Sequence, residues 1–172
     1  MIYFFKRSFI SFVLCFVLAF STTVFANDIY APSTPEERAN LSDTVEFTIE
    51  IPVKERASNG VTIVPIKCNA KFVSKILIYV TVLNESPTVP LEDVELTVWT
   101  WDQYGNETGT LDHKSLGPLG CLLSFVQPVQ VDPSTLEAAI RVDAITVDGA
   151  SGYTLKKIIR QQYLKNYIFE FI

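Results

Sequence analysis

The feature that most restricts this chain is a stretch in which apolar and polar residues take strict turns. Val45, Phe47, Ile49, Ile51 and Val53 alternate with Glu46, Thr48, Glu50 and Pro52. A helix would scatter these residues around its circumference. An extended strand places them on opposite faces, one for a core and one for water. Pro52 has no N–H to give a neighbouring strand, so an edge position is expected. Asn59-Gly60 is a tight-turn signal, and the apolar segment Val61 to Cys68 after it reads as the returning arm of a hairpin.

The pattern continues along the chain. Ile76 to Leu83 is apolar on both faces and rich in β-branched residues, as for a central strand, and Asn84-Glu85-Ser86-Pro87 stops it. Val94, Leu96 and Val98 alternate with Glu95, Thr97 and Trp99 up to the turn Asp102-Gln103-Tyr104-Gly105-Asn106. Leu116-Gly117-Pro118-Leu119-Gly120 is a second loop signal. Leu122 to Val131 and Ala139 to Val147 give two more strands, separated by Asp132-Pro133-Ser134. Strands at this spacing, with no long helical pattern between them, predict an all-β sandwich over residues 44–152.

Both ends differ from this body. Lys6 and Arg7, the apolar run from Phe9 to Phe20, and small residues at the −3 and −1 positions before Asn27 have the layout of a secretory signal peptide over residues 1–26. The apolar run is shorter than the roughly 20 residues a spanning helix needs. Residues 27–43, with Pro32 and Pro35, read as an extended leader. In the final segment, 153–172, Leu155, Ile158, Ile159 and Tyr163 are spaced as one helical face, with Lys156, Lys157, Arg160 and Lys165 mainly opposite. A short helix followed by a strand is expected there, docked on the sandwich; a strand throughout is the competing reading.

Charge narrows the partners. Without residues 1–26 the chain has 12 basic and 19 acidic residues, net −7; residues 27–152 carry −10 and residues 153–172 carry +3. An acidic body disfavours nucleic acid and anionic membrane, since phosphate binding needs a basic surface. Cys15 leaves with a signal peptide, so Cys68 and Cys121, 53 positions apart, remain. Two cysteines in an exported domain most often pair, and a structural disulfide is expected between them. Asn40, Asn84 and Asn106 head glycosylation sequons, which matter only in a eukaryotic secretory route; a bacterial periplasm is favoured.

From Ile76 to Val147 the order of elements is more particular: an aliphatic strand ending in Asn84-Glu85-Ser86, then Leu91-Glu92-Asp93-Val94-Glu95-Leu96-Thr97-Val98, the Asp102-Gln103-Tyr104-Gly105 turn, and the Leu116-to-Gly120 loop before an alternating strand. This resembles the FxLYD-type and LEA14-like domains. Trp101 stands where those domains often carry Tyr, and Cys68 and Cys121 are not part of their pattern. The resemblance implies an immunoglobulin-like antiparallel β-sandwich of about seven strands, and a binding or structural module rather than an enzyme, with no catalytic residues to carry over.

Candidate chemistry is sparse. His113, the only histidine, lies between Asp112 and Ser115. A hydrolytic triad needs its imidazole between nucleophile and carboxylate, and no Gly-x-Ser-x-Gly elbow is present. With one histidine and no methionine beyond residue 26, a copper or zinc carrier is not expected, nor any other cofactor. Asp102 to Glu107 offers oxygen ligands without the spacing of a calcium loop, so a plain turn is the simpler reading. Trp99 and Trp101 share one strand face and would either anchor a partner or pack under a neighbouring segment. Together with Lys156, Lys157 and Arg160 they are the candidate partner-binding residues. The expectation is a non-catalytic, periplasmic or secreted protein that binds or organises another envelope component. A subunit of a surface assembly such as a pilus or secretion complex is the alternative, and a hydrolase using His113 the third reading.

Overall fold

The alternation at residues 45–53 becomes the first strand, β1 (Thr44–Lys54), with Phe47, Ile49, Ile51 and Val53 buried and the residues between them exposed. This computed structural model describes residues 32–38, 40–54 and 60–162. The signal-peptide reading of 1–26 and the last ten residues of the basic segment lie outside them. One helical turn, α1 (Pro35–Arg38), precedes β1. Eight strands follow: β2 (Val61–Ser74), β3 (Leu77–Asn84), β4 (Leu91–Trp101), β5 (Glu107–Ser115), β6 (Ser124–Gln130), β7 (Glu137–Thr146), β8 (Ser151–Tyr153) and β9 (Lys157–Arg160).

These strands form two antiparallel sheets. The first has the order β1-β2-β3-β6; the second has β5-β4-β7-β8, with β9 also paired to β7. Ile78 pairs with Val129 and Val98 with Ile140, so successive strands change sheets between β3 and β4, β5 and β6, and β6 and β7. That pairing is the immunoglobulin-like arrangement, with β3 and β6 in one sheet and β4 and β7 in the other. The expected sandwich class is therefore found. Its core is one cluster from the facing sides, including Phe72, Ile66, Val80, Leu96 and Ile140. Each large aliphatic buried there contributes about 1.5–3 kcal/mol relative to exposure.

The strand inventory differs from the expectation in three places. β5 has no counterpart among the expected strands because none of its residues is buried: as an edge strand of mostly polar residues it shows no apolar alternation. β3 is central in its sheet, yet Tyr79 on its outer side is exposed, so its double-sided apolar pattern does not mark double-sided burial. The helix expected from Leu155 is a correction: in the described part of that segment, Lys157–Arg160 form strand β9 and the residues on either side of it are irregular. Ile159 points into the main core while its neighbour Ile158 packs on the opposite face of the sheet against Trp99, Trp101 and Ala139. A strand with apolar surroundings on both sides puts apolar residues next to each other, which imitates helical spacing. The unfilled edge of β7 supplies the backbone partners that decide for a strand.

Part of the leader is also held. Ser33 N donates to Glu137 Oε2 over 3.2 Å, and Ser33 Oγ donates to the same oxygen. Arg38 Nε lies 2.9 Å from Glu137 Oε1, close enough for an ion pair although poorly aligned for a hydrogen bond. Arg160 N donates to Ser42 O over 2.7 Å, and Gln162 Nε2 to Leu41 O over 2.7 Å. The residues before β1 are thus stitched to β7 and to the chain leaving β9.

The two sides of the sandwich are unlike. On one, β1 and β8 close together: a Cβ on Gly152 would stand 2.8 Å from Ile51 Cγ1 and 3.0 Å from Ile49 Cγ2, so only glycine fits. On the other, edge strands β5 and β6 do not pair, and a groove of about 260 Å³ lies between them.

Candidate interaction surface

This open side is built on a fixed frame. Asn84, fully buried at the end of β3, donates through Nδ2 to Val89 O (3.0 Å) and Gly120 O (3.3 Å), while its Oδ1 accepts from Ser86 N (3.0 Å). Leu91 and Leu119 exchange backbone hydrogen bonds of 2.9 and 3.1 Å, and Leu119 is buried. The loop is thereby pinned at Leu119 and Gly120, and the next residues turn outward. Leu122 has φ of 57°, a left-handed conformation uncommon for a bulky residue. Leu122 and Leu123 are 63% and 59% exposed, and Val126 on β6 is 57% exposed.

The groove wall on the β6 side is Gln127, Pro128, Val129, Gln130 and Val131; Val98 and Leu111 face it from the other sheet. At its foot three hydroxyls are linked: Thr108 Oγ1 donates to Thr100 Oγ1 over 2.9 Å and lies 2.8 Å from Thr135 Oγ1, and Thr100 Oγ1 donates to Gly109 O. Lys114 and Asp132 complete the lining, so the groove offers apolar contact, amide and hydroxyl groups and one charge of each sign. An elongated groove beside a strand edge suits an extended peptide.

The residues singled out from sequence fall elsewhere. Trp99 and Trp101 are only 6% and 3% exposed and form a second cluster with Ala139, so neither is presented as a surface anchor. Lys156, just before β9, and Lys157, its first residue, are half-buried. Arg160 lies on the same outer face as Trp101, with Glu137 between them in the register, its Nε 4.0 Å from Glu137 Oε1 and its Nη1 donating to Arg38 O over 3.5 Å. The five do not form one face.

The expected disulfide is not seen in the structure. Cys68 and Cys121 are both free thiols. Cys68 pairs with Val82 on β3, and Val82 pairs in turn with Phe125 on β6. Cys68 thus lies on the second strand from β6. Cys121 lies four residues before Phe125. Burial alone pushes the Cys68 thiol from 9.0 up to about 12, which makes it inert rather than reactive.

Around His113 the two ring nitrogens face two carboxylates. Its Nδ1 is 3.2 Å from Glu95 Oε2 and its Nε2 is 3.7 Å from Asp112 Oδ1. Ser115 Oγ donates to Asp93 Oδ1 over 2.7 Å, so this hydroxyl is engaged by a carboxylate and not by the imidazole. In the 102–106 turn, Asp102 Oδ1 accepts from Tyr104 N and Asn106 N, and Oδ2 accepts from Asn106 Nδ2. Chiefly the Asn106 side chain, opposed by slight desolvation, holds this carboxyl below its ordinary value. The turn consumes the ligands that a cation would use. Among the described residues no group of three His, Cys, Asp or Glu is placed to hold a metal, and no helix is long and apolar enough to cross a membrane.

Sequence reasoning missed both the open edge and the Glu137 cluster. For the edge a signal existed: from Leu116 to Val131 the chain carries no charged residue. Nothing local distinguishes Glu137 from the other acids. No family model, curated protein or solved structure matches this chain.

Proposed function

We propose that this is a non-catalytic, exported binding module that engages another cell-envelope protein through the open side of its sandwich. The observation that carries the reading is the uncharged β6 edge with Leu122, Leu123 and Val126 exposed beside a groove. Exposed apolar surface of this kind on an otherwise acidic chain is a feature of interaction sites. The signal-peptide layout and the resemblance of residues 76–147 to FxLYD-type and LEA14-like domains support an exported, binding role. Subunit status in a surface assembly is the second reading, favoured by the same unprotected edge.

A photo-crosslinking residue at Leu123, with a control at Val61 on the far part of the first sheet (58% exposed), tests this in the native envelope. A discrete adduct with a second protein at Leu123 and none at Val61 is expected. An adduct of the chain with itself at Leu123, with none to a second protein in the native envelope, overturns the reading that the occupant is another protein and favours the subunit reading. No adduct, or equal labelling at both positions, overturns the assignment of the face. Esterase or peptidase turnover that disappears in His113→Ala overturns the non-catalytic reading.

A further inference from the structure

The backbone of β6 carries more information than its side chains. Asn84 N donates to Leu123 O and Val131 N to Ile76 O. In an antiparallel ladder, opposed residues alternate between exchanging both hydrogen bonds and exchanging none. Applied to the β3–β6 register, Phe125, Gln127 and Val129 are the β6 residues bonded to β3. Ser124, Val126, Pro128 and Gln130 therefore turn their peptide groups outward. Pro128 sits where a missing N–H costs the ladder nothing, and it leaves Ser124 and Val126 as two adjacent outward units that can both donate and accept.

We propose that the β6 edge pairs antiparallel with β6 of a second copy of this chain, about a two-fold axis at Phe125. In that register Ser124 N–H and C=O meet the C=O and N–H of the partner's Val126, and Val126 meets the partner's Ser124 in the same way. No bond is asked of Pro128. An isologous contact requires a self-complementary surface, and two like units flanking one residue meet that requirement. Charge points to the same occupant. Each copy is net negative, yet the tract from Leu116 to Val131 has no ionised side chain to repel its twin, and no lysine guards the edge as edge strands commonly require. Leu122 and Val126, exposed in the single copy, lie beside this seam. The other edge of the sheet is unsuited: β1 presents Glu46, Glu50, Pro52 and Lys54.

One edge holds either a second copy or an envelope protein, so the dimer is the state of the chain without that partner, and sedimentation of the purified chain from Asn27, with no envelope protein present, reads it separately from the cross-link above. Wild type should show a concentration-dependent monomer–dimer equilibrium. Val126→Lys puts two like charges at the seam and should weaken association at least tenfold. Val61→Lys, equally exposed and distant, should leave it unchanged. Hydrogen exchange on wild type gives a readout that needs no variant: the Ser124 and Val126 amides should gain protection as concentration rises. A strictly monomeric protein overturns the proposal. So does a dimer that survives Val126→Lys in a folded variant, or one whose Ser124 and Val126 amides stay unprotected.

Discussion

Cys68 shows how far burial alone can set a residue's chemistry. Its thiol is raised from 9.0 to about 12 by desolvation, because a thiolate among aliphatic side chains loses its hydration. An acid whose folded value exceeds its unfolded one leaves stability intact below the unfolded value and removes it as pH climbs toward the folded one. Wild type should therefore lose stability between about pH 9 and 12 more steeply than Cys68→Ala, by up to about 1.4 kcal/mol per pH unit. Urea titrations of the two proteins across that range measure it. Equal slopes would show that Cys68 ionises no differently in the folded protein. In native protein near neutral pH, alkylation should reach the half-buried Cys121 well before Cys68, which reacts only through unfolding.

Among the elements, β9 binds the end of the described chain to the sheets, and its two neighbouring isoleucines divide the work. Ile159 is fully buried in the main core and Ile158 half-buried against the tryptophans, whereas Leu155, just before the strand, is 73% exposed. Ile159→Ala is expected to cost about 2–4 kcal/mol, as for other aliphatic deletions in packed cores. Leu155→Ala should stay within about 0.5 kcal/mol of wild type. Had the segment been a helix with Leu155 and Ile159 on one docked face, both would destabilise alike. Chemical denaturation of the two variants separates these outcomes.

For the whole molecule, Glu137 is the fastening point. It is buried at the start of β7 and receives Ser33 and Arg38 from before β1 and Arg160 from β9. Removing one partner of a buried pair typically costs about 3–5 kcal/mol. Arg38 and Arg160 keep roughly a quarter of their side chains in water and can rehydrate, so about 2–3 kcal/mol is expected for Glu137→Ala. Proteolysis should also become faster between Pro32 and Asp43 in that variant, because the same residue holds the chain before β1. Unchanged cleavage there would mean that this stretch is held by β9 and not by the carboxylate.

The sequence by itself determined the all-β class, the facing of β1 and the place of most turns. These are local properties: a period of two sorts side chains onto two faces, and turns depend on a few adjacent residues. The tertiary structure decided which strands became neighbours, since Ile78 meets Val129 from 51 positions away through backbone groups that every residue carries. It decided that Trp99 and Trp101 are covered, that Ile158 and Ile159 lie on a strand, and that β3 separates Cys68 from the strand that Cys121 leads into. It also exposed β6, because an edge exists only once a sheet's order is complete and one strand is left without a neighbour.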